Sequence, residues 1–235
     1  DEIMSYRVCI PTAGTGSRLG DLTKFVNKSL VSIANRPTLC HIMEQFPCDV
    51  EFVIALGHKG ELVRDFLELA YPDRKFFFAD VEPFEGAGSG LGLSLLACKE
   101  FLQQPFVFIS CDTLVKETIP APIGNWMAYA DVKDLRPYRT VKLKVNQVEA
   151  ICEKGEGHRD THNAYIGLAG IEHYRDFWHS MSNGGLEAIE TGEVHGLRQL
   201  LPSNIKSHKF TWFDTGNINA LSLTRDLYRE PKAPN

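Results

Sequence analysis

The residues best suited to chemistry lie at separate places along the chain. Thr12-Ala13-Gly14-Thr15-Gly16-Ser17-Arg18-Leu19 directly follows the apolar run 7–11. A strand that runs into a glycine-rich loop and then a helix points backbone N–H groups at an anion. The glycines let the backbone come close to a triphosphate. Arg18 adds a planar fork of donors for phosphate oxygens, and Lys28, ten residues on, adds a compact cation. Taken alone, the segment is equally a tight turn with a solvated arginine and lysine. Further along, Ser110-Cys111-Asp112 closes the most apolar stretch of the sequence, 105–110. A carboxylate at the C-terminal end of a central parallel strand stands where such sheets bind ligands, and its hard oxygens suit Mg2+. A helix-capping aspartate would look the same.

Three nucleotide loops compete for residues 12–19. A Walker A loop requires Gly-Lys-Ser/Thr, where this chain has Gly16-Ser17-Arg18. A dinucleotide fingerprint requires G-x-G-x-x-G and a carboxylate about twenty residues later. Gly14, Gly16 and Gly20 give G-x-G-x-x-x-G, and the expected carboxylate region holds Ala34-Asn35-Arg36. The third possibility uses the whole segment 11–37. Ala13-Gly14-Thr15-Gly16-Ser17-Arg18-Leu19, followed by Lys28, Leu30, Ile33, Asn35 and Pro37, resembles the signature of the sugar-1-phosphate nucleotidyltransferase (nucleoside-diphosphate-sugar pyrophosphorylase) superfamily: A-G-x-G-[ST]-R-L, a lysine, then L-x-x-I-x-x-x-P. One departure is Asn27, where the superfamily usually has proline.

The resemblance implies roles for particular residues. Thr12, Ala13, Gly14, Thr15, Gly16 and Ser17 would bind the nucleotide, with Arg18, Lys28 and Asp112 as catalytic residues. Gly86-Ala87-Gly88-Ser89 looks like the base-binding loop, although a flexible strand–helix connection has the same composition. Trp212-Phe213-Asp214-Thr215-Gly216-Asn217 resembles the W-x-D-[TI]-G-[TN] element, which makes Asp214 the partner of Asp112 on Mg2+; without the resemblance it is only a turn. Glu153 and Lys154 stand in a stretch like V-x-x-[IF]-x-E-K-P, with Gly155 in place of the final proline, and Asn163 stands where the superfamily has N-A-G-[IV]-Y. These three would bind the acceptor. His58 is as compatible with packing as with binding, and His158 and His162 read as exposed loop residues.

The implied reaction is Mg2+-dependent transfer of a nucleotidyl group from an NTP to a phosphorylated small-molecule acceptor. A sugar 1-phosphate is the first candidate, giving an NDP-sugar for surface polysaccharide biosynthesis. A cytidylyltransferase acting on phosphocholine or a phosphonate is an alternative, as is a nucleotide- or sugar-binding module without catalysis. An acceptor phosphate is largely dianionic at neutral pH, so no general base is required.

The elements that must position these residues follow an alternating pattern. Runs 7–11, 51–56, 75–79 and 105–110 read as strands, and 38–46, 61–67 and 93–101 as helices. The second half adds strand-like runs at 127–131, 140–144, 148–152 and 165–171, with helices at 175–181 and 196–201. Strand–helix alternation predicts an α/β fold. Combined with the resemblance, that means a GT-A/Rossmann-like three-layer sandwich with a mixed, mostly parallel central sheet. One domain is expected over 1–228, with a nucleotide-binding half (1–125) and an acceptor-binding half (126–228). The polar, proline-rich tail 229–235 looks like a linker, so a further domain is expected after Asn235.

With 235 residues, 43% hydrophobic and 23% charged, the chain can bury a substantial core. Its formal charge of −5 argues against a nucleic-acid partner. No run is apolar enough to span a bilayer. The six cysteines form no C-x-x-C pair and read as free thiols, which suits the cytoplasm. A homo-oligomer is compatible with all of this.

Overall fold

The computed structural model describes residues 5–229. In chain order the strands are β1 (Arg7–Pro11), β2 (Ser32–Ile33), β3 (Arg36–Pro37), β4 (Glu51–Leu56), β5 (Phe76–Asp80), β6 (Phe106–Ile109), β7 (Thr113–Val115), β8 (Asn125–Ala130), β9 (Thr140–Lys144), β10 (Gln147–Cys152), β11 (His162–Ile171), β12 (Ile205–Lys209) and β13 (Trp212–Asp214). The helices are α1 (Thr38–Met43), α2 (Gly60–Ala70), α3 (Leu91–Cys98), α4 (Tyr174–Asn183), α5 (Gly185–Thr191), α6 (Glu193–Leu200) and α7 (Ile218–Tyr228).

Strands β1, β4 and β6 are apolar at nearly every position because both of their faces are covered. Val8 and Ile10 of β1, Phe52 and Ile54 of β4, and Val107 and Ile109 of β6 belong to one hydrophobic cluster. The residues between them, Cys9, Val53, Ala55, Phe106 and Phe108, belong to a second cluster. This is the period-two alternation of a strand. The first cluster takes in Leu39, Ile42 and Met43 of α1, Val63 and Leu67 of α2, and Leu221 of α7. The second takes in Leu95 of α3, Phe177 and Trp178 of α4, Ala188 of α5 and Leu197 of α6.

One nine-stranded sheet runs β5-β4-β1-β6-β11-β8-β12-β10-β9. Pairs β5/β4, β4/β1 and β1/β6 are parallel, and β6/β11 is antiparallel. Beyond β6 the sheet departs from the expected mostly parallel sandwich. The only parallel pair in that half, among the described residues, is β8/β12, and β9 pairs back onto β11. The strands β11-β8-β12-β10-β9 therefore close on themselves into a barrel-like ring. The long β11 makes this possible: its C-terminal part pairs with β6 and β8, and its first residues, His162 to Ala164, pair with β9.

A second difference concerns the glycine loop. The segment after it is a 3-10 turn, Ser17–Thr23, broken by Gly20 at φ 57°, and not an α-helix. Any anion site there depends on individual loop N–H groups, since no helix macrodipole stands behind it. The elements β2, β3, β7, β12, β13, α5 and α7 are not marked by the apolar pattern; most are short, but α7 spans 11 residues. Of the proline-rich tail, only Arg229 falls within the described residues.

Helices α3 and α5 pack very closely. A Cβ on Gly92 would collide with the Ala188 carbonyl oxygen, and one on Gly90 with that of Ile189. These two glycines are thus needed for packing whatever else their loop does. Gly92→Ala is expected to destabilise the fold by about 1–3 kcal/mol through overpacking, read as a fall in the urea midpoint. Gly14→Ala should leave the midpoint in place, since its new methyl meets no atom within 4 Å.

Candidate active site

Strands β1 and β6 are neighbours and run parallel, so the loops at their C-terminal ends lie side by side. The first is the glycine loop and the second carries Asp112. Within the glycine loop the residues divide their work. Thr12 is fully buried, and its hydroxyl and N–H both donate to the Ala55 carbonyl (2.7 and 2.9 Å). Ala13 is buried too, and its carbonyl accepts the His58 N–H at 2.9 Å. Gly14 to Arg18 face outward or are half-buried. Gly16 has φ 66°, and a Cβ there would lie 2.8 Å from the Lys28 Cβ. Glycine at this position lets the loop fold over the Lys28 stem.

Asn27 ties these pieces together. It is completely buried and donates to the carbonyls of Thr12 and His58, each at 2.7 Å. Its Oδ1 accepts from the Ser29 N–H and hydroxyl, capping the 3-10 turn Lys28–Leu30. The amide side chain does here what proline's fixed φ could not: it joins the glycine loop, the turn after β4 and the lysine turn.

Lys28 Nζ lies 3.5 Å from Asp112 Oδ2, and the mostly exposed Arg18 guanidinium lies 4.0 Å from the same oxygen. The Cys111 sulfur and, against burial, the Asp112 carboxylate raise the Lys28 pKa above that of a free lysine, so it stays charged. Burial opposes ionisation of Asp112, but Lys28, a 2.6 Å hydrogen bond from the Ser110 hydroxyl and Arg18 together hold its pKa below the ordinary aspartate value.

Asp214 arrives through a short antiparallel ribbon in which β13 pairs with β7 and places Asp214 opposite Thr113. Its Oδ1 accepts the Gly216 N–H at 2.8 Å, and Tyr138 donates to Oδ2 at 3.4 Å. Burial, followed by the charge of Asp112, raises its pKa despite the Gly216 hydrogen bond. A Cβ on Gly216 would lie 3.0 Å from Asp112 Oδ2 and 3.1 Å from Asp214 Oδ1, so glycine leaves a cradle between the two carboxylates.

This donor set fits Mg2+. No group of three or more His, Cys, Asp or Glu side chains able to hold a metal occurs among the described residues. Two hard carboxylates that leave most positions to phosphate oxygens and water are how magnesium is commonly held. A cation in the cradle would also relieve the repulsion between Asp112 and Asp214.

Two cavities meet at this centre. One, of about 310 Å³, is lined by Gly14, Arg18, Lys28, Ser89 and Asp112 among others. The other, of about 290 Å³, is lined by Arg18, Asp112, Lys154, Tyr165, Glu193 and Asp214 among others. Arg18, Ser110 and Asp112 border both.

The remaining sequence candidates fall as follows. Ser89 lines the first cavity, whereas Gly86, Ala87 and Gly88 are exposed; Gly86 and Gly88 take the positive φ of a turn closed by the Ser89 hydroxyl on the Gly86 carbonyl. Lys154 lines the second cavity. Glu153 is bound by Arg139 (2.9 Å) and Arg198 (2.6 Å), and Asn163 pairs with Val141 in the ring; neither lines either cavity. His58 bonds the Thr23 carbonyl, as a packing residue would.

Tyr138 and Glu193 stand in no motif, and Tyr165 stands in the N-A-G-[IV]-Y-like stretch without a role of its own. Only Asn27 gave a signal, as a departure from the expected proline. Glu193 opens α6 at 3 % exposure, and burial, only partly offset by its own backbone N–H and by Arg139, pushes its pKa up to about 7.

No protein-family model matches the chain. Curated relatives include the bifunctional protein GlmU of Methanococcus maripaludis, 23% identical over 155 residues, which are 64% of this chain and 36% of the relative. Another is the CMP-5'-(3-aminopropyl)phosphonate synthase of Streptomyces rubellomurinus, 26% identical over 151 residues, 63% of this chain and 24% of that protein. The chain thus spans roughly a third or less of the length of these relatives. Among solved structures, a UDP-glucose pyrophosphorylase complexed with UDP-glucose superposes with a TM-score of 0.78 at 17% identity, covering 96% of this chain and 98% of that one. The fold is therefore shared with that pyrophosphorylase structure.

Two outcomes test this geometry. Asn27→Ala leaves two buried carbonyls without a donor and is expected to cost about 1–3 kcal/mol in urea unfolding. The Glu193 carboxyl stabilises the fold most below its unfolded pKa of 4.5, and that contribution is lost as pH rises toward about 7. Stability relative to Glu193→Gln should therefore fall between pH 5 and 8, by on the order of 3 kcal/mol, in urea titrations of both proteins.

Proposed function

We propose that this chain, which shares the motifs and fold of the sugar-1-phosphate nucleotidyltransferase superfamily, transfers a nucleotidyl group from an NTP to a phosphorylated acceptor with release of pyrophosphate. One observation carries this most: Asp112, paired with Lys28 and Arg18, stands at the wall common to two cavities. A group bound on one side can there meet a group bound on the other.

The glycine-loop cavity takes the triphosphate, with Gly14 to Ser17 offering N–H groups and Ser89 lining the opposite side. The second cavity takes the acceptor, whose phosphoryl group Lys154 and Arg18 attract. An oxygen of that group attacks the α-phosphorus; the new P–O bond forms as the bond to the β-phosphate bridging oxygen breaks, and pyrophosphate leaves with that electron pair. The attacking oxygen is already anionic, so no proton needs to move. The obstacle is repulsion between anions, which Arg18, Lys28 and Lys154 lower by charge and position. Asp112 and Asp214 would hold Mg2+, which supplies charge neutralisation at the phosphates.

A sugar 1-phosphate, implied by the resemblance, is the first acceptor class, and its product would be an NDP-sugar for surface polysaccharide. A phospho-alcohol or phosphonate is the second. It is favoured by the commitment of Glu153 to Arg139 and Arg198, which takes it away from acceptor hydroxyls, and by the aminopropylphosphonate in one relative's name. The cytoplasm is the proposed location, which suits the buried thiols of Cys9, Cys40, Cys98 and Cys111.

Pyrophosphate release should appear when the protein meets Mg2+, the correct NTP and a phosphorylated acceptor from a panel of both classes. Lys28→Ala or Asp112→Ala should lower turnover about a hundredfold or more while circular dichroism stays native. Normal turnover in either variant, or no release with any pair, would refute the proposal; nucleotide binding without release would leave a binding module.

A further inference from the structure

Three residues that line the acceptor cavity each carry a buried polar atom without a well-formed hydrogen bond among the described residues: Glu193 (Oε2), Tyr165 (the hydroxyl) and Trp212 (the indole Nε1). Two belong to almost wholly enclosed side chains, with Glu193 at 3 % and Tyr165 at 7 % exposure. Native proteins rarely leave a buried carboxylate oxygen unmatched, and one lining a cavity points to a ligand that supplies the missing donor. Nothing in the transfer step itself uses Glu193.

The groups around it do not fill the gap. Arg139 lies near enough to favour ionisation of Glu193, but its guanidinium is already engaged by Glu153 (2.9 Å) and by the Thr191 carbonyl (2.9 Å). The Tyr165 hydroxyl lies close enough to Glu193 to favour its ionisation, though without a well-formed hydrogen bond, and the other titratable groups that feel its charge are Asp112 and the buried Cys9 thiol; none of these is cationic. Tyr138, Tyr165 and Trp212 also line the cavity, with Tyr138 and Trp212 in edge contact at 5.1 Å. A carboxylate among aromatic rings is the setting that attracts an ammonium group. Arg18 and Lys154 in the same cavity suit an anion, so the complementary ligand is zwitterionic.

We propose that Glu193 Oε2, framed by the Tyr165 hydroxyl, receives a protonated amine of the acceptor, and that the acceptor is an aminoalkyl phosphate or phosphonate. Glu193 is then the specificity-determining residue of the acceptor side. The assignment rests on the nucleotidyl-transfer function, and its test separates the two.

Pyrophosphate release is measured with Mg2+, each of CTP, UTP, ATP, GTP and dTTP, and three acceptors: 2-aminoethylphosphonate, ethylphosphonate and glucose 1-phosphate. Wild-type kcat/KM should favour the amine over its ethyl counterpart by about 10- to 100-fold, the worth of one charge-assisted hydrogen bond. Glu193→Gln should collapse that ratio toward one through the acceptor KM, and Tyr165→Phe should reduce it partway. No amine preference in the wild type, an equal loss for both phosphonates in Glu193→Gln, or faster turnover of glucose 1-phosphate would each overturn the proposal. Calorimetric titration of the two phosphonates reads the same contact without turnover. Absence of release with every pair would sink nucleotidyl transfer alone; the amine subsite would then stand if only 2-aminoethylphosphonate bound and Glu193→Gln removed that binding, and would fall if the two bound equally.

Discussion

Burial works against the charge of Asp112, and the surroundings that keep it ionised organise the rest of the molecule. Its compensation comes from Lys28 at 3.5 Å, the Ser110 hydroxyl at 2.6 Å and Arg18 at 4.0 Å. Ser110 belongs to the same turn, but Lys28 and Arg18 arrive from the end of β1 because β1 and β6 are parallel neighbours. Lys28 in turn depends on Asn27, which fastens its 3-10 turn to the glycine loop and to the turn after β4. Removing any link in this series leaves a charge or a carbonyl stranded in the interior, which costs far more than a surface ion pair gives.

The second carboxylate is supplied on a different principle. Asp214 lies about a hundred residues further along and is brought in by the two short strands β7 and β13. Burial and then the like charge of Asp112 raise the Asp214 pKa, whereas Lys28, the Ser110 hydroxyl and Arg18 together outweigh burial at Asp112. Gly216 leaves the space between them open. Two acids drawn this close, with no third ligand from the described residues, suit an ion that brings its own phosphate and water oxygens.

The ring of β11, β8, β12, β10 and β9 gives the second cavity a different setting from the parallel half. Its closure gathers Tyr165 and Lys154 from the ring strands and their loops toward Glu193 at the start of α6, while Arg139 and Arg198 hold Glu153 at the side. Its cavity joins motif residues such as Lys154 and Asp214 to Tyr138 and Glu193, which no motif announced.

The sequence by itself determined most of the strands and helices of the parallel part of the sheet, but not the 3-10 turn after the glycine loop or the exposure of Gly86 to Gly88. A short, fully apolar run such as 106–109 suits a strand buried on both faces, so local composition was enough there, whereas the glycine loop took its meaning from Arg18, Lys28 and the remote aspartates together. The sequence also marked Asp112 and Asp214 separately, although nothing in their spacing revealed that their oxygens share one cradle. Tertiary structure alone decided the closing of the ring, the capture of Glu153 by two arginines and the burial of Glu193 beside the second cavity. The physical reason is the range of the interactions. Strand formation and loop conformation depend on residues a few positions apart, whereas desolvation, ion pairing and cavity shape depend on groups that meet only after the chain has folded. A glutamate beginning a short helix looks the same in sequence whether it faces water or an enclosed pocket.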